Sequence, residues 1–517
     1  MNTLHDQHVL ILGLGASGLA MARWCVRCGA RVTVADTRSA PPQLSSLQSD
    51  LPAVRFIGGA LDASLIEGSD IRAVFKSPGL SPLEVASVAD AARALGIPVA
   101  GELALFAQAL AELRATRDYA PKVLAVTGTN GKTTVTALTG QLVARAGKSV
   151  VVAGNIGPTL LDSLSAALDA DALPQVWVLE LSSFQLDGES SFEPSAAALL
   201  NITQDHLDWH GAMPAYIDAK ARIFGQHGLL LLNRDDPAVL ALLNPPAPKM
   251  AAQSSRPARA KVQPSRVRAH VTFGSDLPPR PGDFGLEAVN GMVWLVRALE
   301  ADETLKKRNN ANEQELHIQR LMPADALRIR GRHNAVNALA ALALACAADC
   351  ALGPVLYGLR EYRGEPHRVE PIGTVHEVEF FDDSKGTNVG ATVAALKGLG
   401  LERKVVVILG GEGKGQDFAP LAAPVSQHAR AVVLIGRDAP LIRAALQLTG
   451  ISLIDAASME QAVTLAQEQA QPGDAVLMSP ACASFDMFDN YEHRARVFVQ
   501  AVAALASAAG VVLEGVQ

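Results

Sequence analysis

The chain is built from short apolar runs that stop abruptly at glycine or small polar residues, each followed by a stretch with helical spacing. The first, residues 9–12 of "HVLILGLGASGLAMARWCVRCGARVTVADT", stops at Gly13, Gly15 and Gly18; a helix then leads to a second run ending at Asp36. Near Lys122 the theme repeats as the strand "KVLAVTG", the turn "TNGKTT" and the amphipathic "VTALTGQLVARAG", closed by Gly147. Further runs are "SVVVAG", "VWVLELSS", "AAALLNI" and "GLLLLN". From Gly364 come "EVEFFDDSKGTN", "KVVVILGGEGKG", "AVVLIGR" and "DAVLMSPACASFDMF". Unbroken rather than alternating hydrophobicity marks strands covered on both faces, and alternation of strands with helices implies parallel sheets. The predicted fold class is α/β. Three domains are expected, each a mostly parallel sheet with helices: 1–116 and 364–517 Rossmann-like, and 117–363 of the P-loop type. A length of 517 residues suits three units of roughly 100–200 each.

One region breaks the rhythm. Residues 241–270 hold six Lys/Arg, five prolines and no acid, and a second polar run, "EADETLKKRNNANEQE", begins at Glu300. The stretch 241–325 is therefore expected to be a mobile surface insertion in the middle domain. After it, "RGRHNAVNALAALALACAA" resumes as an Ala/Leu helix. The chain is 49% apolar and 19% charged with a net charge of −7, which supports sizeable cores and excludes a dedicated nucleic-acid binder. Five cysteines are too few for a disulfide scaffold. Cys25/Cys28 and Cys346/Cys350 sit in apolar helical stretches without a Cys/His cluster and read as buried free thiols. No run approaches the roughly 20 apolar residues of a membrane span, and a soluble, cytoplasmic, monomeric protein is expected.

The glycine pattern at residues 13–18 satisfies G-x-G-x-x-G inside a βαβ unit, with Asp36 an acid roughly 20 residues on. It predicts a nucleotide diphosphate at a helix N-terminus and leaves the nucleotide open. The turn in "VTGTNGKTTV" is shorter than G-x-x-x-x-G-K-[ST], with Val126 where the outer glycine belongs. The backbone of Gly128, Thr129, Asn130 and Gly131 is still free to wrap a triphosphate, Lys132 can reach its β- and γ-phosphates, and Thr133 or Thr134 can offer Mg²⁺ a hydroxyl. Glu180 ends an apolar run, where a metal-binding acid would stand beside the loop. "NITQDHLDWH" puts His206 at the end of another strand, and "AYIDAKARIF" puts Lys220 on a following helix. In isolation, such a lysine is usually solvated and such a histidine usually structural.

Taken in order, "TGTNGKTT", "GNIG", "ELSSFQL", "NITQDHLD", "AKARIF", "GRHN", "EPHR", "DDSKGTN" and "SPACAS" resemble the motifs of the Mur ligase family, from Gly13 to about Arg494. Only 241–325 falls outside the likeness. The resemblance implies ATP-dependent joining of D-glutamate to UDP-N-acetylmuramoyl-L-alanine through an acyl phosphate, in cytoplasmic peptidoglycan precursor synthesis. It implies that Lys132, Glu180, His206 and Lys220 are catalytic, with Thr133, Glu180, His206 and Lys220 around two Mg²⁺ ions and a CO₂-derived carbamate on Lys220. For ATP it implies Gly128 to Thr134 with Asn334, Arg368, Asp383 and Lys385. For the UDP substrate it implies Gly15, Ser17, Asp36, Thr37, Arg38, Ser77 and Asn155. For D-glutamate it implies Thr387, Lys414, Ser484 and Tyr491, the last a tyrosine where the family has phenylalanine. "DDSKGTN" argues against the alternatives: a sibling adding diaminopimelate or lysine typically has Tyr-Ala-His there, and folylpolyglutamate synthetase a similar Ala-His.

Overall fold

The computed structural model describes residues 4–243, 268–300, 316–401, 403–511 and 513. Its strands form three sheets that follow one another along the chain. The first contains β1 (His8–Leu12), β2 (Arg31–Asp36), β3 (Arg55–Gly58), β4 (Ile71–Lys76) and β5 (Val99–Ala100), in the order β3-β2-β1-β4-β5. Every pair in it is parallel. Alternate residues of β1 bury in opposite directions: Val9 and Ile11 with Leu19, Trp24 and Val34, Leu10 and Leu12 with Val74, Val85 and Val88. A strand covered on both faces has no polar side to present, and its sequence therefore does not alternate. The helix Glu102–Arg117 then packs on the central unit, where Phe106 meets Trp177 edge-on with ring centroids 5.2 Å apart.

The central sheet contains β6 (Lys122–Thr127), β7 (Val150–Gly154), β8 (Val176–Glu180), β9 (Ala196–Leu199), β10 (Leu229–Asn233), β11 (His270–Phe273), β12 (Phe284–Val289), β13 (Met292–Glu300) and β14 (Leu316–Pro323). Its order is β14-β13-β12-β11-β10-β9-β6-β8-β7. The chain leaves β6 to one side for β7 and β8 and returns to the other side with β9. The carboxyl end of β6 is thus a topological switch point, where open α/β sheets bind ligands. The apolar helix Arg332–Ala347 is buried with the inner face of the helix Lys132–Arg145 against this sheet.

The stretch 241–325 differs from the insertion expected of it. Most of its basic part, residues 244–267, and the polar residues 301–315 lie outside the described residues. The remainder extends the central sheet, β11 pairing in parallel and β12, β13 and β14 forming an antiparallel meander. Asn290 and Gly291, at φ 52° and 81°, make the two-residue turn between β12 and β13. Such a turn matches the twist of paired strands. Asn-Gly between apolar runs is a hairpin signal that the flanking polar composition obscures.

The third sheet contains β15 (Glu370–Val375), β16 (Val378–Asp382), β17 (Val405–Gly410), β18 (Ala429–Ile435), β19 (Ser452–Asp455) and β20 (Ala475–Met478), in the order β15-β16-β20-β17-β18-β19. Only β15 runs antiparallel to its neighbour. Because β20 inserts between β16 and β17, the loops 383–388, 411–416 and 479–484 meet at one edge. The five cysteines are free, and all but Cys346 are buried. Among the described residues no helix is long and apolar enough to cross a membrane.

Candidate active site

At the switch point of the first sheet, Gly13 turns with φ 83° and the Ser77 hydroxyl donates to its carbonyl at 2.9 Å. A Cβ on Gly18 would lie 2.0 Å from the Gly13 oxygen, so the helix Ala16–Arg27 closes on the turn only because residue 18 is glycine. Gly15 occupies the N-cap with no side-chain cap, which leaves the first amides of that helix for a ligand. Burial raises the pKa of Glu102, opposed by the Leu161 amide and by the hydroxyl of Ser17 in the first turn of that helix. Asp36, in the region that the resemblance places at uracil, turns its carboxylate inward. Its carboxylate accepts from Leu14 N at 2.7 Å, from Arg38 N at 2.9 Å, and from Arg38 Nε and Nη2 at 2.8 Å each. The Arg38 side chain first, then the two amides, hold its pKa down at about 2 against burial. Asp36 therefore fixes the glycine turn and orients Arg38, while Thr37 and Arg38 are exposed beside it.

In the central unit, β6 runs into Gly128 (φ 156°) and Gly131 (φ 83°), which wrap the chain around the start of the helix Lys132–Arg145. The segment leaving β9 braces this loop: Thr129 N donates to Asn201 O at 2.9 Å and Asn130 N to Asn201 Oδ1 at 2.8 Å. That bracing displaces His206 from its predicted place at a strand end. The strand stops at Leu199 because the chain turns toward the loop, and His206 becomes the N-cap of the short helix Leu207–His210 with φ 53°. Its ring packs edge-on against Phe184, centroids 4.7 Å apart.

Two lysines converge on one oxygen. Lys132 Nζ donates to the carbonyls of Gly128 and Thr129, both at 2.9 Å, and Lys220 Nζ donates to Gly128 O at 2.9 Å. Lys220, on the helix Met213–Ala221, is 1% exposed, with Nζ 4.6 Å from the Tyr216 ring centroid. Burial, then the charge of Lys132, pushes its pKa well below the usual lysine range, with Asp205 and Glu180 opposing. Lys132 is also lowered, chiefly by burial, and Glu180 is its strongest counter-charge. Repulsion is relieved when Lys220 is the neutral member.

Glu180, 1% exposed at the end of β8, accepts from Asn155 Nδ2 at 2.6 Å through Oε1. Asn155 is thus tied to the central acid. Glu180 Oε2 and the buried Thr203 hydroxyl have no hydrogen-bond partner among the described residues. An orphaned buried carboxylate oxygen is costly unless a cation meets it. The available donors (the Glu180 carboxylate, the Thr133 hydroxyl and the His206 ring) are mostly oxygen, which fits a hard divalent cation. Thr133 Oγ1 accepts from Arg368 Nη2 at 2.7 Å, and a hydroxyl keeps a second acceptor position.

Two cavities bring residues of the central and third units together. One of about 100 Å³ brings Asn130, Gly131 and Thr134 together with Asn334, Arg368 and Asp383. Asn334 is held there by Arg330 O at 2.8 Å and Asn337 Nδ2 at 3.2 Å. Burial raises the Asp383 carboxyl to about 7, opposed by the Ser479 hydroxyl at 2.6 Å and by Arg368. The other cavity, about 230 Å³, is lined by Thr387, Lys414, Ser484 and Tyr491 together with Asp205 and His206. Lys385 Nζ stands 5.4 Å from the Tyr491 ring centroid. A larger cavity of about 360 Å³ lies between the β12–β13 hairpin and the start of the helix Arg332–Ala347, and none of these titratable groups lines it. The smaller cavities are the ones in which charged and polar groups converge, as chemical sites require.

Some functional groups were missed in the sequence. Arg494, 1% exposed, donates to Cys482 O at 3.0 Å and Ser384 O at 2.8 Å, pinning the loops after β20 and β16; burial lowers it to about 10. An arginine on an amphipathic helix carries no signal of that. Asn201, Asp205 and Asn388 lie inside quoted motifs, yet their bonds to the phosphate loop or to each other arise only on folding.

Residues 7–101 match the family model described as Mur ligase MurD-like, N-terminal domain; 126–275 match the Mur ligase middle domain, and 367–482 the Mur ligase, glutamate ligase domain. The chain is 74% identical over 515 residues to the UDP-N-acetylmuramoylalanine–D-glutamate ligase of Albidiferax ferrireducens, covering 100% of this chain and 99% of that protein. It is 59% identical over 599 residues to the protein of the same name from Polaromonas sp., covering 99% and 100%. Among solved structures, the MurF ligase of Thermotoga maritima in complex with ADP superposes with a TM-score of 0.55 at 15% identity, covering 98% of this chain and 96% of that one. The UDP-N-acetylmuramate-alanine ligase of the same organism gives 0.53 at 19% identity, covering 97% and 100%. At such identities these two speak for the fold alone.

Proposed function

The chain belongs to the Mur ligase family, and from that premise we propose that it is the family's D-glutamate-adding ligase, joining D-glutamate to UDP-N-acetylmuramoyl-L-alanine with ATP. The observation that carries this reading is the cavity in which Thr387, Lys414, Ser484 and Tyr491 of the third unit meet Asp205 and His206 of the central one. D-Glutamate brings two carboxylates and one nucleophilic amine. Lys414 offers a cation, and Thr387 and Ser484 offer hydroxyls; the helix Tyr491–Ala508 begins at the same cavity, with Asn490 capping its His493 amide.

ATP transfers its γ-phosphoryl group to the substrate carboxylate, giving an acyl phosphate and ADP. The D-glutamate amine attacks the acyl carbon, the C–N bond forms, and phosphate leaves with the C–O electron pair. Three anionic groups meet, so the site works chiefly by positioning and charge neutralisation. Lys132 lies over the loop where β- and γ-phosphates would be held. Arg368 and Asn334 line the nucleotide cavity, and Arg38, held by the buried Asp36, is exposed beside the first sheet's glycine turn. Lys220, whose pKa burial and the charge of Lys132 push down, is shifted toward the neutral amine, whose lone pair can add to CO₂; the new N–C bond forms with loss of a proton and leaves an anionic carbamate. Glu180, that carbamate, His206 and Thr133 would hold Mg²⁺, which when bound withdraws charge from the phosphoryl oxygens.

The test is phosphate release by the purified protein with ATP, Mg²⁺, UDP-N-acetylmuramoyl-L-alanine and a panel of amino acids. Turnover is expected with D-glutamate and not with D-glutamine, L-lysine or diaminopimelate. A site built around a second carboxylate rejects its amide because Lys414 and the hydroxyl donors lose their anionic partner. Equal turnover with any of these would replace the assignment with that of a sibling ligase.

A further inference from the structure

The start of the helix Val389–Leu399 is where the third unit touches the phosphate loop. Asn388 caps this helix, its Oδ1 accepting from Ala391 N at 2.9 Å. The same side chain, 6% exposed, reaches into the central unit. Its Oδ1 accepts from Asn130 Nδ2 at 3.3 Å, and its Nδ2 donates to Asn130 Oδ1 at 3.1 Å and to Asp205 Oδ2 at 3.3 Å. The approach is close: a Cβ on Gly390 would lie 2.8 Å from Thr203 Oγ1 and 3.0 Å from Asn130 Nδ2. This helix start is equally bound to the amino-acid cavity. Val389 N donates to Gln416 Oε1 at 3.0 Å, and Gln416 lines that cavity with Lys414 and Thr387. Thr392 Oγ1 donates to Ser479 O at 3.0 Å, in the loop that leads to Ser484.

We propose that Asn388 is a positioning residue that couples the amino-acid cavity to the phosphate loop, setting the amine of the incoming amino acid against the activated carboxylate. This inference rests on the D-glutamate-ligase reading. The electrophile is made on the central unit and the nucleophile is held by the third, so reaction needs the two units fixed to within a near-attack distance of about 3–3.5 Å. Arg368 to Thr133 links the units on the nucleotide side. Asn388 links them on the amino-acid side. A paired-amide bridge suits that task because its bonds are directional, and each is individually modest, so it can form on closure and release when product leaves.

Asn388→Ser and Asn388→Asp both keep an oxygen able to cap the helix, which preserves folding. Serine is too short to bridge, and aspartate sets a carboxylate against Asp205. With ATP, Mg²⁺ and the muramoyl substrate saturating, kcat/KM for D-glutamate is expected to fall about tenfold in the serine variant, the loss of one or two coupled hydrogen bonds, and further in the aspartate variant. The Kd for ATP and for the muramoyl substrate should stay within about twofold, with the melting temperature retained. Small-angle scattering with a non-hydrolysable ATP analogue should give both variants a larger radius of gyration than wild type. Wild-type D-glutamate kinetics in both variants, or an equal loss for all three substrates with a lowered melting temperature, would overturn the inference and leave the functional reading intact. A wild-type protein inert toward D-glutamate would remove the functional reading, and this inference with it.

Discussion

Lys132 and Lys220 donate to the same carbonyl oxygen, and their surroundings bear on them differently. Burial lowers both, with Glu180 and Asp205 opposing; Lys220 is pushed down further toward the neutral amine, the charge of Lys132 being its second cause. Lys220→Ala should be nearly inactive in phosphate release, and millimolar acetate or formate should restore part of the rate by returning an oxygen ligand to the gap. Full activity without such acids would remove the carbamate from the mechanism. Asp383 makes a pH prediction. Its folded pKa of about 7 lies above the unfolded value of 3.8, so the stability it contributes is complete below about pH 4 and is lost as pH rises through 7. Asp383→Asn, neutral throughout, should flatten the decline in melting temperature between those limits. Parallel curves for variant and wild type would show that some other group sets that slope. Lys132, Glu180 and Lys220 were legible in the sequence as chemistry-bearing types at strand ends or on the adjoining helix. Their pairings were not, because a hydrogen bond between Lys220 and Gly128 spans 92 positions of chain.

The shortened phosphate loop is an element made by two glycines. Gly131 combines φ 83° with a neighbour, since a Cβ there would meet Asn337 Oδ1 at 2.9 Å. Gly147, which ends the same helix region at φ 83°, has nothing within 4 Å. Both alanine variants should lose about 1–2 kcal/mol from the left-handed backbone. Only Gly131→Ala should also weaken ATP binding, because only there must the loop and the helix bearing Asn337 move apart. Urea unfolding and nucleotide titration of the two variants separate these effects, and equal ATP affinity in both would mean the loop tolerates a side chain. The strands of the three sheets were legible as unbroken apolar runs, since burial on both faces leaves a direct mark on sequence. The β12–β13 hairpin was marked by Asn290-Gly291 but hidden by its polar flanks, and the early end of β9 came from the loop it braces.

At the scale of the molecule, one glycine pattern serves two chemistries. In a dinucleotide-binding unit the acid that follows the second strand takes the ribose hydroxyls. Here the Asp36 carboxylate is fully engaged by Leu14 N and by Arg38. Calorimetry should therefore show binding of UDP and of the UDP-muramoyl substrate and none of NAD, with Arg38→Ala weakening the former. Tight NAD binding would return the first unit to the dehydrogenase reading.

The sequence by itself determined the α/β class, the three successive sheets, the position of the phosphate loop and, through ordered motifs, the family. These are properties of local spacing: an apolar run, a glycine that permits one turn, and a lysine one residue past it. Tertiary structure alone decided which groups face each other. It tied Asp36 inward to Arg38, set Asn155 on Glu180, gathered Thr387, Lys414, Ser484 and Tyr491 around His206, and bridged Asn388 to Asn130. Strand insertion, β8 beside β6 and β20 between β16 and β17, brings loops far apart in the chain to one edge, and no local pattern records which loops will meet.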